Sequence, residues 1–377
     1  MRVDVITIHR ILNCGSALQA YATQQYLLKL GHTCRIIDYR YPTKENKLKR
    51  YRSMPFMKSV RLFLHFIKED LKKNVKAKRV KFEEFWSTRL ILTKPYNSHK
   101  ELLSEKWDAD VYIVGSDQVW NTKTLLGDSA FLLSFLPDSV KRFSYSSSFA
   151  LDTFDDKYRD LFLKQLHKFD AISVREKSGL KILDGLDIKR NIYLVCDPVF
   201  LLEKESYLEL AKSSKYKFDF DYILVYPMVY AFNPGPAMLK SVFAALEKYN
   251  CKIVFISSVL SGYNGDYILV DDADPQDFLY LISHATFVIT SSFHVTAFSV
   301  IFRKFFITIV PTSGDRRMSD FLETIGLTPN MVKCNEESVA IVESKYTPVV
   351  ESLLYDYIES SKKFIIDQLS NYDKNNR

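Results

Sequence analysis

The fold is decided by the stretch Thr286–Phe306, TFVITSSFHVTAFSVIFRKFF. Its first part, Phe287–Thr290, is a short apolar run typical of a buried strand, and a serine pair and an isolated histidine follow it. Serine hydroxyls favour the N-cap position, so we expect His294 in the first turn of a helix. In open α/β sheets, ligand sites lie just past the carboxyl ends of strands, where helix N-termini attract anions. The segment therefore predicts an anion site at Ser291, Ser292 and His294.

Short apolar runs alternate with helical patterns along both halves of the chain. The predicted strands are Val3–Ile8, Cys34–Tyr39, Val111–Val114, Arg142–Ser147, Ala171–Val174, Ile192–Val195, Tyr222–Tyr226, Lys252–Ser257, Phe287–Thr290 and Phe305–Val310. The predicted helices are Ser16–Leu30, Asp155–Lys168, Lys177–Leu183, Pro236–Lys248, Pro275–Ser283, Arg317–Ile325 and Pro348–Leu369. Strands separated by helices predict parallel sheets with helices on both faces.

The length of 377 residues suits two domains better than one. We expect an α/β protein of two doubly wound, Rossmann-like domains that face each other across a cleft. The N-terminal domain is predicted at 1–205 and the C-terminal domain at 216–345, followed by a helix and tail at 346–377. The polar stretch Glu203–Asp221 is predicted to contain the linker between the two domains.

The net charge of +7 is unevenly distributed. Residues 44–81, here named the basic insertion, contain fourteen Lys or Arg and three Asp or Glu, a balance of +11 that leaves −4 for the remainder. Apolar residues recur at helical spacing within Met54–Val75, at Phe56, Val60, Phe63, Leu64, Ile67, Leu71 and Val75. This pattern predicts either a helix packed on its own domain with a solvated basic face, or a helix that contacts an anionic membrane.

The composition excludes several other classes of site and partner. A nucleic-acid partner is not expected, because the charge is confined to one segment without a known nucleic-acid module. The five scattered cysteines contain no C-x-x-C pair, and no metal site is expected. The N-terminus lacks a signal-peptide pattern and no apolar run reaches about 20 residues, so we expect a cytoplasmic protein.

Polar residues cluster where the predicted strands end. They lie in Gly115–Asn121, Ser148–Phe149, Arg175–Ser178, Cys196–Pro198 and Ser291–His294. In parallel sheets these segments all lie at the carboxyl edges, where two domains can enclose a ligand. Taken singly, each has a simpler explanation: Asp117 as a helix cap, Arg175 with Glu176 as a surface ion pair, or His294 as a packed core residue.

Seven motifs occur in order along nearly the whole chain. They are NCGSALQAYATQ at Asn13–Gln24, GSDQVWN at Gly115–Asn121, SYSSSF at Ser144–Phe149, ISVRE at Ile172–Glu176, CDPV at Cys196–Val199, SSFH at Ser291–His294 and RRMSDFLETIGL at Arg316–Leu327. With this ordered set, the chain resembles the polysaccharide pyruvyl transferase family.

The resemblance implies a two-domain fold like that of the GT-B glycosyltransferases. It also implies transfer of the pyruvyl group of phosphoenolpyruvate onto two hydroxyls of a sugar, which gives a cyclic ketal. Phosphoenolpyruvate is then a co-substrate, no further cofactor is expected, and the acceptor is a glycan, lipid-linked or free. The family's histidine falls at His294 and its strand-end arginine at Arg175. Many relatives have D-R-L-H-G or D-S-F-H-G, whereas this chain has Ser292 in place of that arginine and Val295 in place of the glycine.

Each step of this chemistry requires a particular type of side chain. The proton-transfer candidates are His294, Asp117 and Glu176. The substrate-binding candidates are Arg175, Arg316, Arg317, Asn13, Gly15, Ser16, Ser291 and Ser292. Imidazole suits proton transfer because its ordinary pKa lies near neutral pH, and a guanidinium binds phosphate or carboxylate in a bidentate manner. N–H groups at the start of a helix are a further site for phosphate.

Two other functions remain open on the sequence alone. The first is a GT-B type glycosyltransferase that uses a sugar nucleotide, because its fold is similar. The chain has no clear acidic signature for a nucleotide ribose, which counts against this alternative. The second is a catalytically inactive binding protein, which the departures at Ser292 and Val295 keep open.

Overall fold

The computed structural model describes residues 1–52, 55–61, 68, 72–188, 190–229 and 232–375. The chain divides into two compact units. Unit 1 comprises Met1–Leu201 together with Ser360–Arg377, and unit 2 comprises Leu202–Glu359. Both are built around parallel sheets.

Unit 1 has a four-stranded parallel sheet in the order β2-β1-β3-β4. Its strands are β1 (Arg2–Ile6), β2 (Thr33–Ile36), β3 (Val111–Val114) and β4 (Lys141–Ser144). The pair β5 (Ile172–Val174) and β6 (Ile192–Leu194) continues beside β4 through single parallel bridges, Phe143 with Ala171 and Ser147 with Val174. The helices are α1 (Cys14–Lys29), α2 (Lys44–Arg52), α3 (Lys73–Arg89), α4 (His99–Leu103), α5 (Thr122–Leu125), α6 (Arg159–Leu166) and α7 (Lys177–Gly185).

Unit 2 has a six-stranded parallel sheet in the order β12-β11-β10-β7-β8-β9. Its strands are β7 (Tyr222–Tyr226), β8 (Lys252–Ile256), β9 (Ile268–Val270), β10 (Phe287–Thr290), β11 (Phe305–Val310) and β12 (Met331–Lys333). Its helices are α8 (Lys204–Ala211), α9 (Gly235–Lys248), α10 (Pro275–His284), α11 (Phe293–Ile301) and α12 (Arg317–Thr324). The last helix, α13 (Pro348–Asn375), begins in unit 2 and ends in unit 1.

The central strands of both sheets are continuous apolar runs because both of their faces are covered. The run VYIV of β3 and the run YILVY of β7 are buried at every position. In each sheet the chain adds strands on one side and then returns to the other side, which creates a topological switch point. It lies between β1 and β3 in unit 1 and between β7 and β10 in unit 2. Loops beside a switch point are the usual ligand site of such sheets.

The predicted α/β class with two doubly wound units is confirmed. Two three-residue strands, β9 and β12, were not predicted, and the stretch Glu203–Asp221, predicted to contain a linker, holds α8. The predicted helix Met54–Val75 is wrong at its end, because Lys72 is extended and α3 starts after it. Residues 56–61 are helical, while the predicted apolar positions Phe63, Leu64, Ile67 and Leu71 lie outside the described residues. Within the described part of the chain, no helix is both long and apolar enough to span a membrane.

Candidate active site

The loop between β1 and α1 lies at the switch point of unit 1. Asn13 caps α1, because its Oδ1 accepts from the backbone N–H of Gly15 at 2.9 Å and of Ser16 at 3.3 Å. The sequence assigned these N–H groups to a phosphate, but the Asn13 side chain already occupies them. An anion at this position therefore has to displace the cap.

Asp117 stands across the same switch point, in the loop after β3. The Ser16 hydroxyl donates to its Oδ2 at 2.5 Å, and the Gln118 N–H donates to its Oδ1 at 2.9 Å. The Asp117 backbone has φ +65°, a left-handed conformation that Asp tolerates better than most residues. The structure thus brings Ser16 and Asp117 into direct contact, and the carboxylate accepts from a hydroxyl group.

Arg175 follows β5 and lies among three buried carboxylates. Its Nη1 donates to Asp197 Oδ2 at 2.5 Å, its Nη2 lies 3.7 Å from Asp117 Oδ1, and its Nε lies 4.0 Å from Glu176 Oε2. All four side chains are less than a tenth exposed. Three carboxylates and one guanidinium give this group, here named the Arg175 cluster, a formal charge of −2.

Two carboxylates of the Arg175 cluster are fixed by backbone donors. Glu176 Oε1 accepts from the N–H groups of Phe149 and Ala150, at 2.8 and 3.1 Å, and from the Ser148 hydroxyl at 3.0 Å. Asp197 Oδ1 accepts from the Val199 N–H at 3.1 Å. These bonds tie Glu176 to the end of the stretch SYSSSF, and the proton-transfer role of Glu176 stays a prediction.

The sequence did not single out a second charged group of unit 1. His9 and Arg10 follow β1, and Asp38 follows β2, so all three lie at the carboxyl edge of the sheet. Arg10 donates to both oxygens of Asp38, at 2.6 and 2.7 Å, and to Glu83 at 2.8 Å. The His9 ring is fully buried, and its Nε2 lies 3.4 Å from Asp38 Oδ1. Residues just past the predicted strand Val3–Ile8 include His9 and Arg10, whereas Asp38 lies inside the predicted strand Cys34–Tyr39 and was hidden by its overlong bounds.

Asp38 is held in its charged form. Burial alone raises the pKa of this carboxyl, but hydrogen bonds from His9 and Arg10, with the positive charge of Arg10, outweigh burial. The net effect holds the pKa of Asp38 well below its usual range. The charged pair of Arg10 and Asp38 therefore links the loop after β1 to the loop after β2.

The serine pair of unit 2, Ser291 and Ser292, does not cap α11 as the sequence predicted. Ser292 occupies the N-cap of α11, but its side chain makes no capping hydrogen bond, so the predicted hydroxyl cap is wrong. The Ser291 hydroxyl accepts from the Met228 N–H at 2.8 Å and donates to the Met228 carbonyl at 3.1 Å. Because Met228 follows β7, Ser291 joins the two loops beside the switch point of unit 2.

His294 lies in the first turn of α11, just after β10, as the sequence predicted. Its side chain is largely buried at 7% exposure, and the Phe293 ring meets it edge-on with centroids 5.4 Å apart. Phe293 also packs against Phe321 of α12, at 5.9 Å between centroids. This packing places the His294 helix against the helix that begins at Arg317.

Arg316 and Arg317 are both ion-paired, but to different degrees. Arg316 is half exposed and contacts Asp320 at 3.1 Å and Glu323 at 3.2 Å. Arg317 is mostly buried and forms a bidentate pair with Asp315. Exposed pairs contribute about 0–1 kcal/mol, whereas breaking a buried pair costs about 3–5 kcal/mol. Of the predicted arginines, Arg316 therefore exchanges its partners for a ligand at the lowest cost.

The chain matches a known protein family over most of its length. The model of the polysaccharide pyruvyl transferase family matches residues 13–313, which is most of the chain. The chain belongs to the polysaccharide pyruvyl transferase family. The match includes the loop after β3, the loop after β10 and every predicted site residue except Arg316 and Arg317. Comparison with curated proteins gives no match.

Solved structures similar to this pyruvyl transferase family member are UDP-GlcNAc 2-epimerases. The enzyme from Methanocaldococcus jannaschii has TM-score 0.53 and 14% identity, with 98% of this chain and 100% of that chain covered. A putative one from Listeria monocytogenes has TM-score 0.52 and 11% identity, with 96% and 90% covered. The enzyme from Neisseria meningitidis, bound to UDP-GlcNAc, has TM-score 0.50 and 12% identity, with 98% and 100% covered. At these identities the similarity establishes a GT-B-like fold.

Proposed function

We propose that this protein transfers the pyruvyl group of phosphoenolpyruvate onto two hydroxyls of a sugar in a surface-polysaccharide precursor. The observation that carries the proposal is the family match over residues 13–313, within which His294 lies at the switch point of unit 2. The product is a cyclic pyruvate ketal together with inorganic phosphate. No cofactor beyond the co-substrate phosphoenolpyruvate is part of the proposal.

The reaction requires two proton transfers and an exchange of C–O bonds. A proton added to the methylene carbon of phosphoenolpyruvate makes it a methyl group and leaves the neighbouring carbon cationic. One sugar hydroxyl bonds to that carbon, the bond to phosphate breaks, and the second hydroxyl closes the ring. Two C–O bonds form and one breaks. Of the two hydroxyl protons, one balances the proton given to carbon and the other leaves on phosphate.

We assign His294 the role of general acid and base. It is the histidine that follows a strand at the switch point of unit 2, in the first turn of α11, with the Phe293 ring packed edge-on against it. Proton transfer by a positioned side chain contributes about 10²–10⁴-fold to a rate. This is the size of the effect that replacement of His294 is expected to remove.

We propose that phosphoenolpyruvate, the anionic donor, binds to Arg316 rather than to Arg175. Phosphoenolpyruvate carries a phosphate and a carboxylate, and either group has to displace buried carboxylates to reach the guanidinium of Arg175. Arg175 instead holds Asp117, Glu176 and Asp197 in place, which makes it a positioning residue. The half-exposed Arg316 pairs with the buried Asp320 and the exposed Glu323 of its own helix, and a phosphate can replace Glu323 at low cost.

We assign Asp117 the role of accepting a proton from a sugar hydroxyl. Its Oδ2 already accepts from the Ser16 hydroxyl at 2.5 Å, which is the geometry that a sugar hydroxyl needs. The Ser16 hydroxyl occupies this oxygen, and a hydroxyl of the ligand can take its place.

A donor and acceptor panel tests the proposal. Phosphoenolpyruvate carrying ¹⁴C in its carbon skeleton, and sugar nucleotides carrying ¹⁴C in the sugar, are each incubated with galactosyl, glucosyl and mannosyl acceptors. We expect label to move to an acceptor only from phosphoenolpyruvate, with one phosphate released per label transferred. Transfer from a sugar nucleotide instead identifies a glycosyltransferase. Tight binding of phosphoenolpyruvate without turnover on any acceptor identifies an inactive binding protein.

A further inference from the structure

The basic insertion exposes its charge to an unusual degree. Twelve of its fourteen Lys and Arg side chains are exposed, and the other two, Lys78 and Lys81, are partly buried. The rest of the chain has a balance of −4, so this segment is a cationic surface on an otherwise weakly acidic protein. Long-range attraction to an anionic partner therefore acts at this segment.

Apolar side chains are exposed within the same segment. Phe56 is 78% exposed, the highest value among the large apolar residues of the described chain, and Met57 is 63% exposed. Both follow Arg52 closely and are followed by Lys58 and Arg61, all of which are exposed. Leu48 and Val80 are also exposed, at 49% and 69%. Exposed apolar and cationic side chains thus lie close together in the sequence of the insertion.

The insertion is attached firmly to unit 1 at both ends. The buried Asn46 of α2 donates from its Nδ2 to Asp128 at 2.9 Å, and its Oδ1 accepts from Thr43. At the other end, α3 buries Phe82, Phe85 and Trp86. Asn46 and α3 thus attach the two ends of the insertion to unit 1.

We propose that the basic insertion docks this protein onto an anionic lipid surface. Lys and Arg side chains attract acidic headgroups, with a gain of about fivefold in binding for each cation near the surface. Phe56 and Met57 add a second contribution to binding, because moving their exposed apolar groups from water into the acyl region lowers the free energy. A nucleic acid pairs with the cations equally well, but it offers no apolar phase to Met57, Leu48 and Val80. The proposal does not depend on the donor or acceptor of the reaction.

Vesicle sedimentation with the full-length protein tests the proposal. We expect binding to vesicles of equal parts phosphatidylglycerol and phosphatidylcholine at low ionic strength, and no binding to phosphatidylcholine alone. Binding is expected to be lost at about 1 M salt, where the Debye length falls to about 3 Å. A random-sequence single-stranded RNA serves as the competing anionic partner in the same buffer.

Matched variants test whether vesicle binding depends on the basic insertion itself or only on the net charge of the protein. Lys58→Gln with Arg61→Gln is expected to weaken vesicle binding roughly 25-fold, and Phe56→Ser with Met57→Ser about tenfold or more. The controls Lys100→Gln with Lys106→Gln, and Leu103→Ser, change equally exposed residues of unit 1 outside the segment and are expected to leave binding unchanged. Thermal melting checks that every variant is folded.

Three results would overturn the proposal. The first is absence of binding to phosphatidylglycerol vesicles at low ionic strength. The second is equal weakening by the segment variants and by the controls, which means that net charge alone drives binding. The third is tighter binding to RNA than to vesicles, which identifies a nucleic-acid surface instead. Phosphate release from phosphoenolpyruvate with a water-soluble acceptor is measured separately and bears only on the reaction.

Discussion

Asp38 is held by Arg10 and His9 at the carboxyl edge of the unit 1 sheet. Because its pKa is held well below the ordinary value, its ionised form stabilises the fold above about pH 4, and this contribution is lost as the pH falls towards the folded pKa. We expect Asp38→Asn to cost about 3–5 kcal/mol at pH 7, since it breaks a buried pair.

Urea unfolding of wild type and Asp38→Asn at pH 7, 5 and 3.5 measures this effect. The difference between the two proteins is expected to be constant from pH 7 to pH 5 and to shrink at pH 3.5. Asp108→Asn is the control, because Asp108 is half exposed and pairs at the surface with Arg2 and Arg35. A difference that stays constant down to pH 3.5 contradicts the assignment.

Arg316 is the residue that we expect to decide donor affinity. A hydrogen bond to a charged group contributes about 1.5–3 kcal/mol, so Arg316→Gln is expected to raise KM for phosphoenolpyruvate roughly 10–150-fold. Arg303→Gln is the control, since Arg303 pairs at the surface of the same unit with Glu351. Steady-state kinetics measures both variants. An unchanged KM in Arg316→Gln removes Arg316 from the donor site.

At the scale of elements, the loop after β3 depends on Gly115. Its φ of +116° suits only glycine, and a Cβ there would lie 2.2 Å from the backbone oxygen of Tyr145. We expect Gly115→Ala to lower the urea midpoint markedly. Gly185→Ala is the matched control: nothing lies near its Cβ position, and alanine at the end of α7 is expected to be neutral or to stabilise by up to about 1 kcal/mol. Equal effects of the two substitutions would contradict the role of Gly115.

Elements with a strong apolar period were predictable, whereas short or polar ones were not. The strands Val111–Val114, Tyr222–Tyr226, Phe287–Thr290 and Phe305–Val310 match the prediction at both ends. The strands β9 and β12 have three residues each, too few to show a period, and α8 lies in a stretch rich in charge. The spacing of apolar residues therefore predicts the central strands of each sheet but not the short strands at its edges.

In the candidate site, too, the feature set by local sequence was predictable, whereas the features set by tertiary contacts were not. The position of His294 in the first turn of α11 follows from local sequence. The three carboxylates around Arg175 come from three separate loops, so no local pattern reveals that its charge is outweighed. The direction of the Asn13 side chain, back onto its own helix, is likewise a property of the folded chain.

At the scale of the whole molecule, the last helix, α13, contains residues of both units. The Phe364 ring of α13 packs in unit 1 against Phe143, Tyr145 and Tyr193, with centroids 5.0–6.3 Å apart. We expect Phe364→Ala to destabilise unit 1 by about 3–5 kcal/mol. Ile366→Ala changes an exposed residue of the same helix and is expected to cost about 0.5 kcal/mol or less.

Hydrogen exchange followed by mass spectrometry locates this effect. Loss of protection is expected first in peptides of residues 1–201, because the ring contacts of Phe364 lie in unit 1. A loss confined to residues 202–359 contradicts this assignment of the helix.

The most direct test of pyruvyl transfer with His294 as the acid is ketal formation from 3-¹³C-phosphoenolpyruvate in D₂O, followed by NMR. Wild type is expected to give a ketal methyl group that carries one deuterium, delivered to the former methylene carbon. His294→Gln is expected to form this product about 10²–10⁴-fold more slowly, while His284→Gln, a histidine of α10 in the same unit, keeps the wild-type rate. A ketal formed by His294→Gln at the wild-type rate, or no ketal with any acceptor, would contradict the account.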